Sequence, residues 1–120
     1  MKKILVAEDN PVNRELIREI LSDGEYEVIE ACNGQEALDR IAEMRPDLVL
    51  LDIQMPVLDG YAVVRRIRDN PPSPAPRVIA LTAYAMQGDR ERALAAGFDD
   101  YVTKPIDLKT LTRKIGEYLG

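Results

Sequence analysis

The sequence predicts an α/β fold: one doubly wound, parallel, five-stranded sheet in the order 2-1-3-4-5, with helices on both faces. Three observations carry that prediction. Five short apolar or β-branched segments alternate with five helical patterns along the 120 residues. Three of the segments are continuous apolar runs, as strands covered on both faces require, and two are mixed enough to be sheet edges. No linker or repeat interrupts the alternation, so residues 1–120 read as a single domain.

In chain order, Ile4 to Ala7 forms the first strand. Asn10-Pro11 supplies a capping side chain and a proline at the first helical position, and Val12, Leu16 and Ile20 share one predicted buried face. Tyr26 to Ala31 is a mixed edge strand, followed by Asn33 with Glu36 three residues on, a capping box for a helix burying Leu38 and Ile41. Leu48 to Leu51 is the third strand, and Asp59-Gly60 opens a helix through Val64 and Ile67 whose Arg65, Arg66 and Arg68 read as a solvated face. The proline-rich run from 71 to 76 reads as a stiff surface connector to the fourth strand, Val78 to Leu81. A helix over Asp89 to Ala96 stops at Gly97, Phe98 to Val102 is the other edge strand, and a last helix starts at Asp107 with Leu108, Leu111 and Ile115 at helical spacing.

Composition narrows the function. Sixteen basic against twenty-one acidic residues leave a net charge of −5, which argues against a nucleic-acid surface. One cysteine, Cys32, precludes an intrachain disulfide, and with no basic neighbour in sequence it reads as a small side chain rather than a redox sensor. The chain has no histidine, which excludes Ser-His-Asp and Cys-His catalysis and the usual zinc sites. Any phosphohistidine chemistry must therefore use a histidine of another molecule. Only Ile4 to Ala7 follows Lys2-Lys3 before Glu8, too short for a signal sequence, and no segment has the length of a membrane span; a cytoplasmic location is expected.

In an open parallel sheet, ligands bind beyond the carboxyl ends of the strands where strand order reverses. Here those ends carry Glu8-Asp9, Asp52, Thr82-Ala83 and Thr103-Lys104-Pro105. Each alone has an ordinary explanation as a turn former, a strand residue or a surface charge. Together they put three carboxylates, a hydroxyl and an amine on one rim. Three clustered carboxylates raise one another's pKa unless a cation joins them, and so few protein oxygens suit Mg²⁺ better than Ca²⁺. The cation and Lys104 would balance the three negative charges, leaving a carboxylate able to attack phosphorus beside donors that stabilise a transferring phosphoryl group. Small Ala83 would let its backbone N–H approach the phosphoryl oxygens. No P-loop or dinucleotide fingerprint is present.

These motifs, in this order, resemble the receiver domain of response regulators, the phosphoacceptor module of two-component and phosphorelay signalling. The resemblance runs through Ile4-Leu5-Val6-Ala7-Glu8-Asp9-Asn10, Asp47 to Pro56 with Asp59-Gly60, Ile79 to Ala83, Ala96 to Tyr101 and Lys104-Pro105-Ile106. It implies the flavodoxin-like, CheY-like (βα)5 fold. It also implies that Asp52 accepts a phosphoryl group from the phosphohistidine of a sensor histidine kinase or histidine phosphotransferase. Asp9, Asp52 and the Gln54 backbone carbonyl would ligate Mg²⁺, with Mn²⁺ as a substitute, and Glu8, where many receivers have Asp, would act through a water. Lys104 would pair with the phosphoryl oxygens, helped by a cis bond to Pro105. Thr82 and Tyr101 would be the switch pair that alters the face formed by the fourth helix, fifth strand and fifth helix. Arg14 and Ile17, beside Pro105-Ile106, match the surface on which family members dock their phosphodonor. Such a domain is a monomer or a phosphorylation-dependent dimer, a switch rather than a multiple-turnover enzyme. Met1 and an end at Gly120 favour a free-standing receiver, the alternative being a piece of a hybrid histidine kinase or multidomain regulator.

Two rivals share parts of this pattern. A haloacid-dehalogenase-type phosphatase also uses a strand-end Asp and magnesium, but needs a second Asp where this chain has Gln54. A flavin binder shares the topology, but Glu8-Asp9 would repel the flavin phosphate. Within the receiver reading, Gln54 and Tyr84 flank the path of hydrolytic water, and bulky Tyr84 shields the acyl phosphate, so self-hydrolysis is expected to be slow. A Tyr84→Glu variant should shorten the phosphoryl lifetime; an unchanged lifetime would contradict the shielding role.

Overall fold

The computed structural model describes all residues except 23, 72–74, 84–87 and 120. Five strands and five helices alternate: β1 (Lys2–Ala7), α1 (Pro11–Ser22), β2 (Tyr26–Ala31), α2 (Gly34–Met44), β3 (Leu48–Asp52), α3 (Gly60–Asp69), β4 (Arg77–Thr82), α4 (Asp89–Ala96), β5 (Asp100–Thr103) and α5 (Leu108–Leu119). The strands form one parallel sheet in the order β2-β1-β3-β4-β5. This is the doubly wound arrangement expected from the run of apolar segments.

The period-two geometry of the strands divides the core into two layers. Leu5, Ala7, Val49, Leu51, Val78 and Ala80 pack with Ala37 and Ile41 of α2, Val63, Val64 and Ile67 of α3, and Ala93 of α4. Their neighbours Ile4, Val6, Leu48, Leu50, Ile79 and Leu81 pack on the opposite side with Ile17 and Leu21 of α1 and Leu111 and Ile115 of α5. Continuous apolar sequence in the three central strands thus serves two cores at once.

Helix ends follow from local chemistry. The Asn10 Oδ1 accepts from the backbone N–H groups of Val12 and Asn13, at 2.9 and 3.2 Å. Asn33 Oδ1 takes the Glu36 N–H at 2.8 Å, Asp59 Oδ1 the Ala62 N–H at 2.8 Å, and Asp107 Oδ2 the Thr110 N–H at 3.0 Å. At the other end of α4, Gly97 has φ 117°, a left-handed cap open to glycine.

Several sequence expectations are corrected. The core face of α1 is Ile17 and Leu21 with Ile20 packed at its margin as expected, whereas Val12 and Leu16 are 72% and 40% exposed. Two apolar stripes run along that helix, and its seat on the sheet selects the other one. Ile17, fully buried, is a core residue and offers nothing to a docking partner. Leu108 lies outside the core at 55% exposure. Phe98 is buried but precedes the strand, which begins at Asp100. Arg65 and Arg66 are exposed as expected. Arg68 is pinned: its guanidinium donates to Gly97 O and Asp99 Oδ2, both at 2.9 Å, tying α3 to the start of β5. Cys32 is exposed, and its thiol donates to Glu36 Oε2 at 3.2 Å; that neighbouring carboxylate pushes the thiol pKa up, away from reactive thiolate.

The edge strand β5 is also tied to α5. Lys114 Nζ donates to Asp100 Oδ2 at 2.9 Å, the Tyr118 hydroxyl reaches the same oxygen at 3.2 Å, and the Tyr101 N–H donates to Oδ1 at 2.7 Å. Burial pushes the Asp100 carboxyl up, but Lys114 and the two other donors outweigh it, leaving its pKa below the ordinary value. A carboxyl lowered on folding contributes stability that is present above its unfolded pKa, about 4, and is lost as pH falls through the folded value. Replacing Lys114 with Met leaves burial unopposed by the ammonium. Lys114→Met is therefore expected to cost about 1–3 kcal/mol at neutral pH and to move acid unfolding to higher pH. Thermal melts between pH 3 and 7 measure both effects, and superimposable curves for the two proteins would contradict the assignment.

Candidate functional site

The parallel register of β1 and β3 pairs Ala7 with Leu51, so one residue further along Glu8 comes to lie beside Asp52. Both continue the rows headed by Ile4–Val6 and Leu48–Leu50, and both are buried, at 0% and 3% exposure. Two buried carboxylates at this spacing repel, and burial disfavours their charge. The compensating charge arrives from beyond β5. Lys104 Nζ lies 2.7 Å from Asp52 Oδ2 and 2.9 Å from Glu8 Oε2. Its main chain is fixed by the Lys104 N–H donating to Thr82 O at 2.7 Å, and the Lys104–Pro105 peptide is cis.

The remaining oxygens are held by main chain. Asp52 Oδ1 accepts the Gln54 N–H at 2.9 Å, and Glu8 Oε1 accepts the Asn10 N–H at 3.2 Å. Glu8 Oε2 lies 2.9 Å from the Lys104 ammonium, yet among the described residues it is buried without a well-formed hydrogen bond. Burial, followed by neighbouring Asp52, pushes the Glu8 carboxyl above its ordinary pKa despite Lys104. Burial pulls the Lys104 ammonium down, but Asp52 and Glu8 more than offset this, so it stays firmly protonated.

Asp9 completes the group at the exposed lip. One carboxylate oxygen from each of Glu8, Asp9 and Asp52 lies within 4.8 Å of the others. This donor set of three carboxylates around an incompletely satisfied buried oxygen fits a hard divalent cation.

Thr82 is buried at the end of β4, one position beyond Leu81, the register partner of Asp52, and it neighbours Thr103 of β5. Ala83 follows it, exposed, and Gln54 is exposed on the β3–α3 loop. Tyr101 is half-buried against the layer of α2, α3 and α4, paired in register with Ala80. Tyr84 lies outside the described residues.

Arg14 departs from its sequence reading. Its Nη1 donates to the carbonyl oxygens of Glu8 and Asp9 at 2.9 and 3.3 Å, and its Nε lies 3.4 Å from Glu30. It therefore buttresses the acidic loop instead of standing free for a partner. Gly60 was legible only as a helix opener. A Cβ there would lie 2.6 Å from Asp52 O and 2.7 Å from Ile53 Cα, so only glycine lets α3 begin directly against the site. The adjoining Asp59 cap was the available signal.

Comparison with known proteins agrees with this geometry. The response regulator receiver domain family matches residues 4–116. The polar-differentiation response regulator DivK of Brucella anthropi is 41% identical over 99% of this chain and 97% of its own length. The receiver domain of sensor histidine kinase PA1611 from Pseudomonas aeruginosa, solved with a magnesium ion coordinated in its active site cleft, superposes with a TM-score of 0.88. It is 40% identical, over 98% of this chain and 96% of that one. A co-crystal structure of the Saccharomyces cerevisiae histidine phosphotransfer signaling protein Ypd1 with the receiver domain of its downstream response regulator Ssk1 gives a TM-score of 0.91. There the identity is 33%, over 98% of this chain and 88% of that one. Among the described residues no helix is long and apolar enough to cross a membrane. With the sheet order, the rim of acids and the family match in agreement, this chain belongs to the response regulator receiver domain family.

Proposed function

We propose that Asp52 accepts a phosphoryl group from the phosphohistidine of a sensor histidine kinase or histidine phosphotransferase, in a Mg²⁺-dependent reaction. The observation that carries this reading is the buried Asp52 carboxylate, with Lys104 at 2.7 Å and Glu8 and Asp9 beside it. Asp9, Asp52 and the Gln54 carbonyl would hold the cation, with Glu8 acting through a water; Mn²⁺ would serve in its place. When bound, the metal supplies positive charge that offsets the acids and the transferring phosphoryl oxygens. An oxygen of Asp52 attacks phosphorus, the P–N bond to the donor imidazole breaks, and an acyl phosphate forms. Lys104 then pairs with a phosphoryl oxygen while remaining near Glu8, and the Ala83 N–H and Thr82 hydroxyl supply donors.

The added charge and acceptor oxygens bias a two-state equilibrium in which Thr82 and Tyr101 move together, changing the surface formed by α4, β5 and α5. A half-buried Tyr101 on an edge strand suits that role, because it can move further into the molecule. The chain acts as a switch for a downstream protein partner, with hydrolysis of its own acyl phosphate as its only turnover. The magnesium-bearing PA1611 receiver and the Ypd1 complex support the reading of metal and donor class. Incubation with Mg²⁺ and acetyl phosphate, read by intact mass, is expected to add one phosphoryl group to the wild type, to add none to Asp52→Asn, and to fail after chelation. An adduct of equal yield on Asp52→Asn, or none on the wild type, would overturn the assignment.

A further inference from the structure

The β3–α3 loop leaves the site at Asp52, carries Gln54 and returns at Gly60. Its lower end is closed by the Gly60 N–H donating to Ile53 O at 2.7 Å. Its crown is unusual. Val57 has φ 72°, and the Leu58 N–H donates across it to Pro56 O at 2.8 Å, a three-residue γ-turn. β-branched residues rarely adopt positive φ, and Val57 is 74% exposed, so its own side chain gains little that could impose the turn. Strain of this kind persists only where the surroundings hold it.

The holding contact comes from α2. Gly34, the first residue of that helix, is buried, and a Cβ built on it would overlap the Leu58 carbonyl oxygen, 2.6 Å from Leu58 Cβ and 2.8 Å from Leu58 C. Main chain thus lies directly on main chain, and a carbonyl oxygen cannot rotate away as a side chain would. The Asn33 cap, bonded to the Glu36 N–H at 2.8 Å, fixes the start of α2 against which Leu58 rests.

We propose that Gly34 is a positioning residue for the metal site: the first turn of α2, seated on Leu58, holds the Val57 turn shut and so sets where the Gln54 carbonyl stands relative to Asp52. The inference rests on the reading of Gln54 as a metal ligand. In Gly34→Ala the Leu58 peptide must shift. Val57, no longer held at positive φ, relaxes from it, and the change passes back along the loop to Gln54. In Gly34→Ala/Val57→Gly no such strain is released, since glycine accepts the left-handed region, and the turn itself absorbs the shift.

Calorimetric Mg²⁺ titration and hydrogen exchange of the 53–58 amides test this on the full chain, with circular dichroism confirming the fold. Gly34→Ala should bind Mg²⁺ roughly tenfold more weakly, in the range seen when groups supporting a metal ligand are lost, and exchange those amides faster. The double variant should recover most of the affinity. Glycine at 57 also relieves the positive φ and so stabilises the fold by itself, and thermal melts of both variants confirm that Mg²⁺ binding is compared between fully folded proteins. Should Gly34→Ala not fold, Leu58→Gly removes the Cβ from the same contact, and weaker Mg²⁺ binding is again expected. A folded Gly34→Ala, or failing that Leu58→Gly, with wild-type affinity would overturn the inference, as would a double variant as weak as Gly34→Ala. A wild type that binds no Mg²⁺ would instead sink the metal reading itself.

Discussion

One lysine and two buried acids set the terms for the whole molecule. Burying Glu8 and Asp52 side by side costs free energy that Lys104 offsets in part, through distances of 2.7 and 2.9 Å. The offset is incomplete, since one ammonium faces two carboxylates and Asp9 adds a third. A folded protein keeps such a cluster when the missing charge is delivered by something that binds there. By its electrostatics, before any relative is consulted, the arrangement fits a cation-binding site.

The rest of the fold serves to keep those groups in place. Parallel pairing of β1 with β3 aligns the two acids, and β5 delivers the lysine from the far side of β4. An edge strand of four residues is a weak support for a buried ion pair, and two tethers reinforce it. Arg68 joins α3 to Gly97 and Asp99 just before β5, and Lys114 with Tyr118 joins α5 to Asp100. On the opposite side, Arg14 holds the carbonyls of the acidic loop. Charged side chains that look like solvated surface in the sequence thus act as braces.

How much of this the sequence reveals depends on the kind of information. Strand order and the rim of Glu8, Asp9, Asp52, Thr82 and Lys104 were legible because apolar runs mark buried parallel strands, and a polar residue at each strand's end stands out. Helix caps at Asn10, Asn33, Asp59 and Asp107 were legible because capping is local chemistry. The buried face of α1 was not: Val12–Leu16–Ile20 and Ile17–Leu21 are both apolar at helical spacing, and only the seat of the helix on the sheet chooses. The same holds for Arg14 and Arg68, whose partners lie in other elements, and for Gly34 and Gly60, where the reason for glycine is a neighbour's main chain. Composition and periodicity report what a residue prefers, while these positions are decided by what approaches them.

The central claim is that acids from two loops and a main-chain carbonyl converge on one divalent cation beside Lys104. Anomalous scattering from crystals soaked in Mn²⁺ tests it most directly. The account predicts a single strong peak within coordinating distance of the Asp9 and Asp52 carboxylates and the Gln54 carbonyl, with Lys104 still directed at the site. A site empty of anomalous density at saturating Mn²⁺, or a metal bound only elsewhere on the surface, would contradict it.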